Sequence, residues 1–337
     1  MLIESYNTEK KVFIIAEIGN NHEGDFGLAQ EMIAKAAQAG VDAVKFQTII
    51  PEFLVDRSQQ ERITRLKKFQ FTYEQFESLA KIAQENKVIF CSTPFDLQSA
   101  KFLNGIQSLF KIASGDNNFF PLIDYVASFC KPMIISTGLS NIELLKNLHN
   151  RITSIWAKEG MNPGLAFLHC LTSYPTPIDQ AGLSSIYKLR EQFPDLVIGY
   201  SDHTMGINAA LYSVVAGARI IEKHFTIDKN YSDFRDHQLS ADPNDMKNLV
   251  DGIREIELMF GDGPGNEFHC EKDMHEVARR SIAAAVDLPI GTIVEMGHLT
   301  WVRPGTGMAP GEESILVGKS VVTEKLSGEI FAPKDVI

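Results

Sequence analysis

Short apolar runs rich in β-branched and aromatic residues recur through the first two thirds of the chain. They cover 11–16, 41–46, 87–92, 108–113, 132–136, 165–170, 196–200 and 218–224, and each has the length and bounding polarity of a buried strand. Between most of them the period changes to that of a helix. The clearest case is 26–39, where Phe26, Ala29, Met32, Ile33, Ala36 and Ala37 fall on one face and Gly40 ends the pattern. Further helices are expected at 73–85, 96–104, 141–150, 182–192, 206–216 and 243–259. Strands alternating with helices imply a parallel sheet, and eight such units predict a (β/α)8 TIM barrel. An open doubly wound sheet would need a glycine-rich turn after the first strand, but the chain there reads Glu17-Ile18-Gly19-Asn20-Asn21-His22-Glu23-Gly24.

The alternation stops near residue 260. Gly261-Asp262-Gly263-Pro264-Gly265 reads as a helix stop opening a linker. From 279 onward, short apolar runs separated by turns predict a small β-rich module. The expected organisation is a barrel over 1–262, a linker over 263–278 and the module over 279–337. A module of about 60 residues is near the lower limit for independent stability, so it is expected to pack on something.

Composition changes this picture little. The chain has 337 residues, 44% hydrophobic and 22% charged, with 43 acids against 32 bases for a net charge of −11. That excludes a disordered chain and argues against nucleic acid or an anionic membrane as partner. No run of 18 apolar residues predicts a transmembrane helix, and no apolar leader predicts a signal peptide. The expected location is the cytoplasm. Cys91, Cys130, Cys170 and Cys270 lack metal-ligand spacing. Gly318-Lys319-Ser320 lacks the earlier glycine of a phosphate loop, since Glu313 stands there.

The chemistry lies at the C-terminal ends of the predicted strands, where barrel active sites form. Those ends carry Glu17, then Lys45 and Gln47, Ser92-Thr93, Lys111 with Ser114, Ser136-Thr137, His169-Cys170, Ser201 with His203, and Glu222 with His224. Residues two apart on a strand share a face, so Lys45 joins Gln47, Ser201 joins His203 and Glu222 joins His224. Polar strand ends in register point to one shared site, because each would otherwise need its own buried partner. Two lysines with several hydroxyls suit a phosphate or carboxylate. His203 and His224 end adjacent strands and together suit a divalent metal with positions left open for substrate. The alternative is that each histidine hydrogen-bonds a loop.

These residues, with Val44 to Thr48, Ser92-Thr93-Pro94-Phe95, Lys111 to Gly115, Ser136-Thr137-Gly138, Tyr174 to Pro177, Tyr200 to Thr204 and Ile221 to Phe225, resemble the sialic acid synthase family over almost the whole chain. The stretch from Ala278 through Arg303-Pro304-Gly305 is similar to that family's antifreeze-like (SAF, β-clip) domain. The resemblance implies condensation of phosphoenolpyruvate with an N-acylated amino-sugar aldehyde and water, giving a nine-carbon 2-keto acid and phosphate. It implies a divalent metal, Mn2+ with Mg2+ or Co2+ as substitutes, held by His203 and His224. Lys45, Thr93, Lys111, Ser114, Ser136 and Ser201 would hold phosphoenolpyruvate. Glu17, Gln47, Tyr174 and Asp236 would face the sugar and the reacting centre, with Glu17 as acid/base. Arg303 would reach the N-acyl group in the barrel of a second copy, making a domain-swapped homodimer. Departures from the family pattern gather near the sugar: Thr172, Asp116, a short loop from Pro51 to Phe71, and Tyr231 to Asp236. Acceptors that remain are N-acetylmannosamine and the 2,4-diacetamido sugars leading to legionaminic or pseudaminic acid, with Glu17-Ile18-Gly19 fitting the first two better. A metal-dependent aldolase or sugar isomerase is the competing enzyme, and a sugar- or ice-binding protein the non-catalytic alternative.

Overall fold

The computed structural model describes residues 1–261 and 268–337, and divides the chain into two compact units, Met1–Gly261 and Asp262–Ile337. The first is an α/β barrel. Its strands are β1 Phe13–Gly19, β2 Ala43–Thr48, β3 Ile89–Pro94, β4 Phe110–Ile112, β5 Met133–Ser136, β6 Leu165–Cys170, β7 Val197–Asp202 and β8 Ile220–His224. All pair in parallel, in the order β3-β2-β1-β8-β7-β6-β5-β4. The first strand thus pairs with the last, His224 opposite Glu17. The barrel is nearly closed; β3 and β4 adjoin without a ladder. At that seam the Gln107 side chain stands in for a rung, its Oε1 accepting from Ser92 N at 2.7 Å.

All eight strands predicted from the apolar runs form, because the alternation within each run sorts side chains between two environments. On β1, Ile14, Ala16 and Ile18 pack outward against the helices, while Phe13 and Ile15 pack inward. The inward set continues around the ring through Ala43, Cys91, Leu109, Ile134, Ala166, Leu168 and Ile220, and Ile3 joins it. Ile3 belongs to a small antiparallel pair, Leu2–Ile3 with Tyr6–Asn7, that covers the N-terminal mouth of the barrel. The period-2 rule then carries the inward face to Glu17, Lys45, Thr93, Lys111, Ser136, Cys170, Ser201 and Glu222 at the other mouth. Gly199 on β7 lies so close to β8 that a Cβ there would sit 2.3 Å from the Ile220 carbonyl oxygen.

The helices after the strands are α1 Phe26–Ala39, α2 Tyr73–Glu85, α3 Leu97–Leu103, α4 Phe120–Ala127, α5 Ile142–Lys158, α6 Ser184–Gln192, α7 Asn208–Val215 and α8 Pro243–Phe260. Caps explain several starts. Asp25 accepts from Leu28 N, Thr72 and Gln75 form a capping box, Asn141 caps α5, and Asp242 precedes Pro243 at the head of α8. Helix α4 escapes the sequence pattern. Its N-cap is Phe119, which makes no side-chain cap, and its apolar run looks like an irregular connection. α5 runs past 150 to Lys158. The connection after β2 holds two further helices, Pro51–Leu54 and Gln60–Phe69. No described helix is long and apolar enough to cross a membrane.

In the second unit, β9 Ser281–Ala284 pairs antiparallel with β10 Leu299–Val302. Isolated bridges join Ala283 to Ile330 and Val321 to Val336, around a core of Ile282, Val294, Leu299, Leu316 and Phe331. Where a linker is expected over 263–278, His269–Glu271 is a 3-10 turn and Lys272–Ala278 a helix; the expected opening of that linker, Asp262 to Gly265, lies outside the described residues.

Candidate active site

The inward residues at the C-terminal mouth form a buried row of alternating charges. Lys45 Nζ lies 2.7 Å from Glu17 Oε2 and 3.6 Å from Glu222 Oε2, and Lys111 Nζ lies 3.6 Å from Glu222 Oε1. The row therefore runs Glu17, Lys45, Glu222, Lys111 across β1, β2, β8 and β4, and none of the four is more than 5% exposed. Neutral donors and acceptors fill the gaps. Lys45 Nζ donates to Thr93 Oγ1 at 3.2 Å, Lys111 Nζ to Ser136 Oγ at 2.6 Å, Ser201 Oγ to Glu222 Oε1 at 2.8 Å and Gln47 Nε2 to Glu17 Oε1 at 2.9 Å. At 2.7 Å the Lys45 ammonium compensates the charge on Glu17 Oε2 directly.

The two carboxylates differ in proton affinity. Burial raises Glu17 and the charge of Glu222 adds to this, against the pull of Lys45. Burial acts on Glu222 too, but Lys111, Lys45 and the Ser201 hydroxyl outweigh it and hold Glu222 well below the usual range. Burial opposes the charge of Lys45, yet Glu17 and Glu222 keep its ammonium above normal. Burial lowers Lys111, with Glu222 only partly offsetting it. The lysines thus favour the ionised form of Glu222, whereas burial favours the protonated form of Glu17, the divergence expected where two carboxyl groups take separate roles.

His203 and His224 stand beside this row with ring centroids 5.3 Å apart. His203 Nδ1 is 2.7 Å from the Leu171 carbonyl oxygen. That acceptor places a hydrogen on Nδ1 and fixes the orientation of the ring. His224 is buried, and its Nδ1 has no hydrogen-bond partner. Burial, helped by His203 and Lys45, keeps its imidazole neutral. A buried neutral imidazole with an unsatisfied nitrogen next to a second, oriented imidazole fits a divalent ion that takes its other ligands from substrate and water. Among the described residues, no group of three or more His, Cys, Asp or Glu could hold a metal by itself. The Tyr174 ring packs on His203 at 4.2 Å and edge-on to His224 at 6.1 Å, and burial raises its phenol so that it stays protonated.

These groups open into a cavity of about 880 Å³ whose lining includes Glu17, Lys45, Gln47, Lys111, Ser114, Asp116, Ser136, Thr172, Tyr174, Ser201, His203, His224 and Asp236. Thr93 is buried behind this surface as the partner of Lys45. Arg303 is exposed on the second unit, just after β10. Sequence reasoning placed Glu222 among the strand-end residues of the shared site, on one face with His224, but gave it no role. Cys170 also lines the cavity, its Sγ 3.8 Å from His203 Nδ1. Arg62, Arg65 and Phe69 reach it from the helix in the β2 connection, and Phe234 from the β8 connection. Lys223 points the other way and is paired in the core with Asp202 at 2.9 Å.

Asp116 has a buried Oδ2 without a donor, and burial pushes its carboxyl from 3.8 up to about 6. Between those values the folded chain binds more protons than the unfolded chain, so this group's contribution to stability is lost as pH rises through the window. Asp116→Asn is therefore expected to flatten the fall in Tm between about pH 4 and pH 6, read by thermal melts of both proteins. An unchanged slope would remove Asp116 as its source.

A family model described as the NeuB family matches residues 32–264. An N,N'-diacetyllegionaminic acid synthase of Campylobacter jejuni is 34% identical over 92% of this chain and 96% of its own. A human N-acetylneuraminate-9-phosphate synthase is 33% identical over 92% of this chain and 88% of its own. Among solved structures, an N-acetylneuraminic acid synthetase of Leptospira borgpetersenii in complex with citrate superimposes with a TM-score of 0.72 at 34% identity, covering 78% of this chain and 90% of that one.

Proposed function

Since this chain belongs to the NeuB family, we propose that it condenses phosphoenolpyruvate with an N-acylated amino-sugar aldehyde and water, releasing phosphate and a nine-carbon sialic-acid-type 2-keto acid. One observation carries the reading: two buried lysines and the hydroxyls of Ser136 and Ser201 converge in one cavity beside two imidazoles and the buried carboxyl of Glu17. Lys45 and Lys111 supply positive charge to a carboxylate and a phosphate at two fixed points, with Ser114, Ser136, Ser201 and Thr93 completing the hydrogen bonding. Holding both anionic groups in register removes much of the entropic barrier to a reaction between two substrates.

His203 and His224 would hold the divalent ion, Mn2+ by family resemblance, with Mg2+ or Co2+ as substitutes. Such an ion, when bound, supplies Lewis-acid polarisation of a carbonyl oxygen. Carbon 3 of phosphoenolpyruvate forms the new bond to the sugar's aldehyde carbon, and the aldehyde oxygen takes up a proton. Water adds at carbon 2 and gives up both its protons, one matching the proton taken by the aldehyde oxygen and one taken by the departing phosphate, as the bond between carbon 2 and the bridging oxygen breaks and the keto group forms. Burial of its carboxyl beside Lys45 supports Glu17 as the acid/base in one of these transfers. Gln47, Tyr174, Asp236, Asp116 and Thr172 line the sugar side.

Identity to relatives named for different sugars is level, so the acceptor is drawn from N-acetylmannosamine and the two 2,4-diacetamido sugars. The same proposal includes a homodimer in which Arg303 of one copy serves the site of the other, and an antifreeze-like identity for the second unit. Phosphate release from phosphoenolpyruvate with Mn2+ and each sugar in turn, with the product mass measured, tests the reading. The expected result is release with at least one sugar, abolished by EDTA and restored by Mn2+. Silence with all three sugars would count against the condensation, and release in EDTA against the metal.

A further inference from the structure

His237 has no surface at all, although it sits in a short helix, Arg235–Leu239, on the connection between β8 and α8. Its Nδ1 is 2.6 Å from Thr226 Oγ1, at the foot of that connection, and its Nε2 is 3.0 Å from Glu23 Oε1, on the connection after β1. Glu23 also accepts from Ser232 Oγ, whose oxygen takes the Phe234 amide at 3.0 Å. Glu23 is an acceptor only, so Nε2 must bear the hydrogen in that bond. Tyr231 and Phe234 place their rings 5.3 and 6.0 Å from the imidazole. A second tie lies nearby: Asn21 Nδ2 donates to Phe225 O at 2.8 Å and to Ser240 Oγ at 3.0 Å. Segment 231–240 is thus bound at both ends to the four-residue stretch 20–23.

That segment carries Asp233, Phe234 and Asp236 into the cavity wall. The stretch 20–23 also touches the reacting centre, since Asn20 Nδ2 donates to Gln47 Oε1 at 3.1 Å and Gln47 holds Glu17. Resting on the proposed condensation, we infer that His237 is a positioning residue: through Glu23 and Thr226 it locks the β8 connection against the β1 connection and so sets the sugar-side wall, while the phosphoenolpyruvate side, built on strand ends, is independent of it. Small displacements of a positioning group are costly, up to about 10²-fold for 1 Å.

The lock predicts a split. His237→Ala and Glu23→Ala should each raise KM for the sugar by about tenfold or more and leave KM for phosphoenolpyruvate within about twofold. Glu23→Gln keeps an acceptor for Nε2–H and should recover most of the loss. If both KM values move together, if neither moves, or if Glu23→Gln is as damaging as Glu23→Ala, the inference is overturned. Glu23 is partly exposed, so its variants decide the matter should His237→Ala fail to fold. Amide hydrogen exchange over 231–240 gives a readout that needs no turnover. It should quicken in the alanine variants; unchanged exchange sinks the lock, whereas a wild-type chain silent with every sugar fails the condensation reading alone.

Discussion

Glu17→Gln is expected to lower turnover by about 10²–10⁴-fold, the range for a lost general acid or base, while phosphoenolpyruvate affinity holds or improves. The amide keeps the carbonyl-type acceptor that Gln47 Nε2 now bonds at 2.9 Å, so the local frame survives. It loses the proton affinity that burial gives the Glu17 carboxyl. It also releases Lys45 from its contact at 2.7 Å, leaving that ammonium freer to meet an anionic substrate. Single-turnover rates measure the first effect and calorimetric titration with phosphoenolpyruvate the second. Near-normal turnover would take Glu17 out of the proton transfers.

Lys45→Met should cost about 3–5 kcal/mol of stability, the usual penalty for removing one partner of a buried ion pair. Lys45 stands between two carboxylates that are almost fully buried, and without it both face a low-dielectric interior with only Lys111 to oppose them. The sign of the pH dependence follows. With Lys45 gone the folded-state proton affinity of both carboxyls rises, the folded variant binds more protons than the folded wild type, and the deficit relative to wild type grows as pH rises and shrinks in acid. Adding Glu17→Gln removes one stranded charge and should return part of the loss. Urea unfolding at pH 5 and pH 8 for the two single variants and the double one measures each of these. A pH-independent deficit, or one below about 1 kcal/mol, would mean the row is better solvated than its burial implies.

Much of this architecture was legible in the chain because barrel strands report two environments through one period. Ile14 and Ala16 face helices while Ile15 and Glu17 face the lumen, so the residue types along each run name the face and the end at which polarity begins. Helix α4 stayed hidden because no polar cap marks its start and its eight residues are few for a periodic pattern to stand out, although Leu122, Ile123, Val126 and Ala127 share one buried face. The helix Gln60–Phe69 has only Ile63 buried and no side-chain cap, so it read as loop, and Arg62, Arg65 and Phe69 were missed with it. Pairings were the least visible part. Glu222 gains its meaning from Lys45 on β2 and Lys111 on β4, and His237 from Glu23 at the far end of the barrel sequence. Contacts between strands that meet only because the ring closes leave no local periodic mark.

That closure has a consequence for synthesis. β1 emerges early and finds β2 soon after, but its other edge is paired only by Ile220–His224. At about 5–20 residues per second, the intervening two hundred or so residues take on the order of tens of seconds to leave the ribosome. Through that interval the edge of Phe13–Gly19 offers unpaired amides and carbonyls to any other extended chain. The nascent half-barrel is therefore the stage of this protein's life most in need of a chaperone.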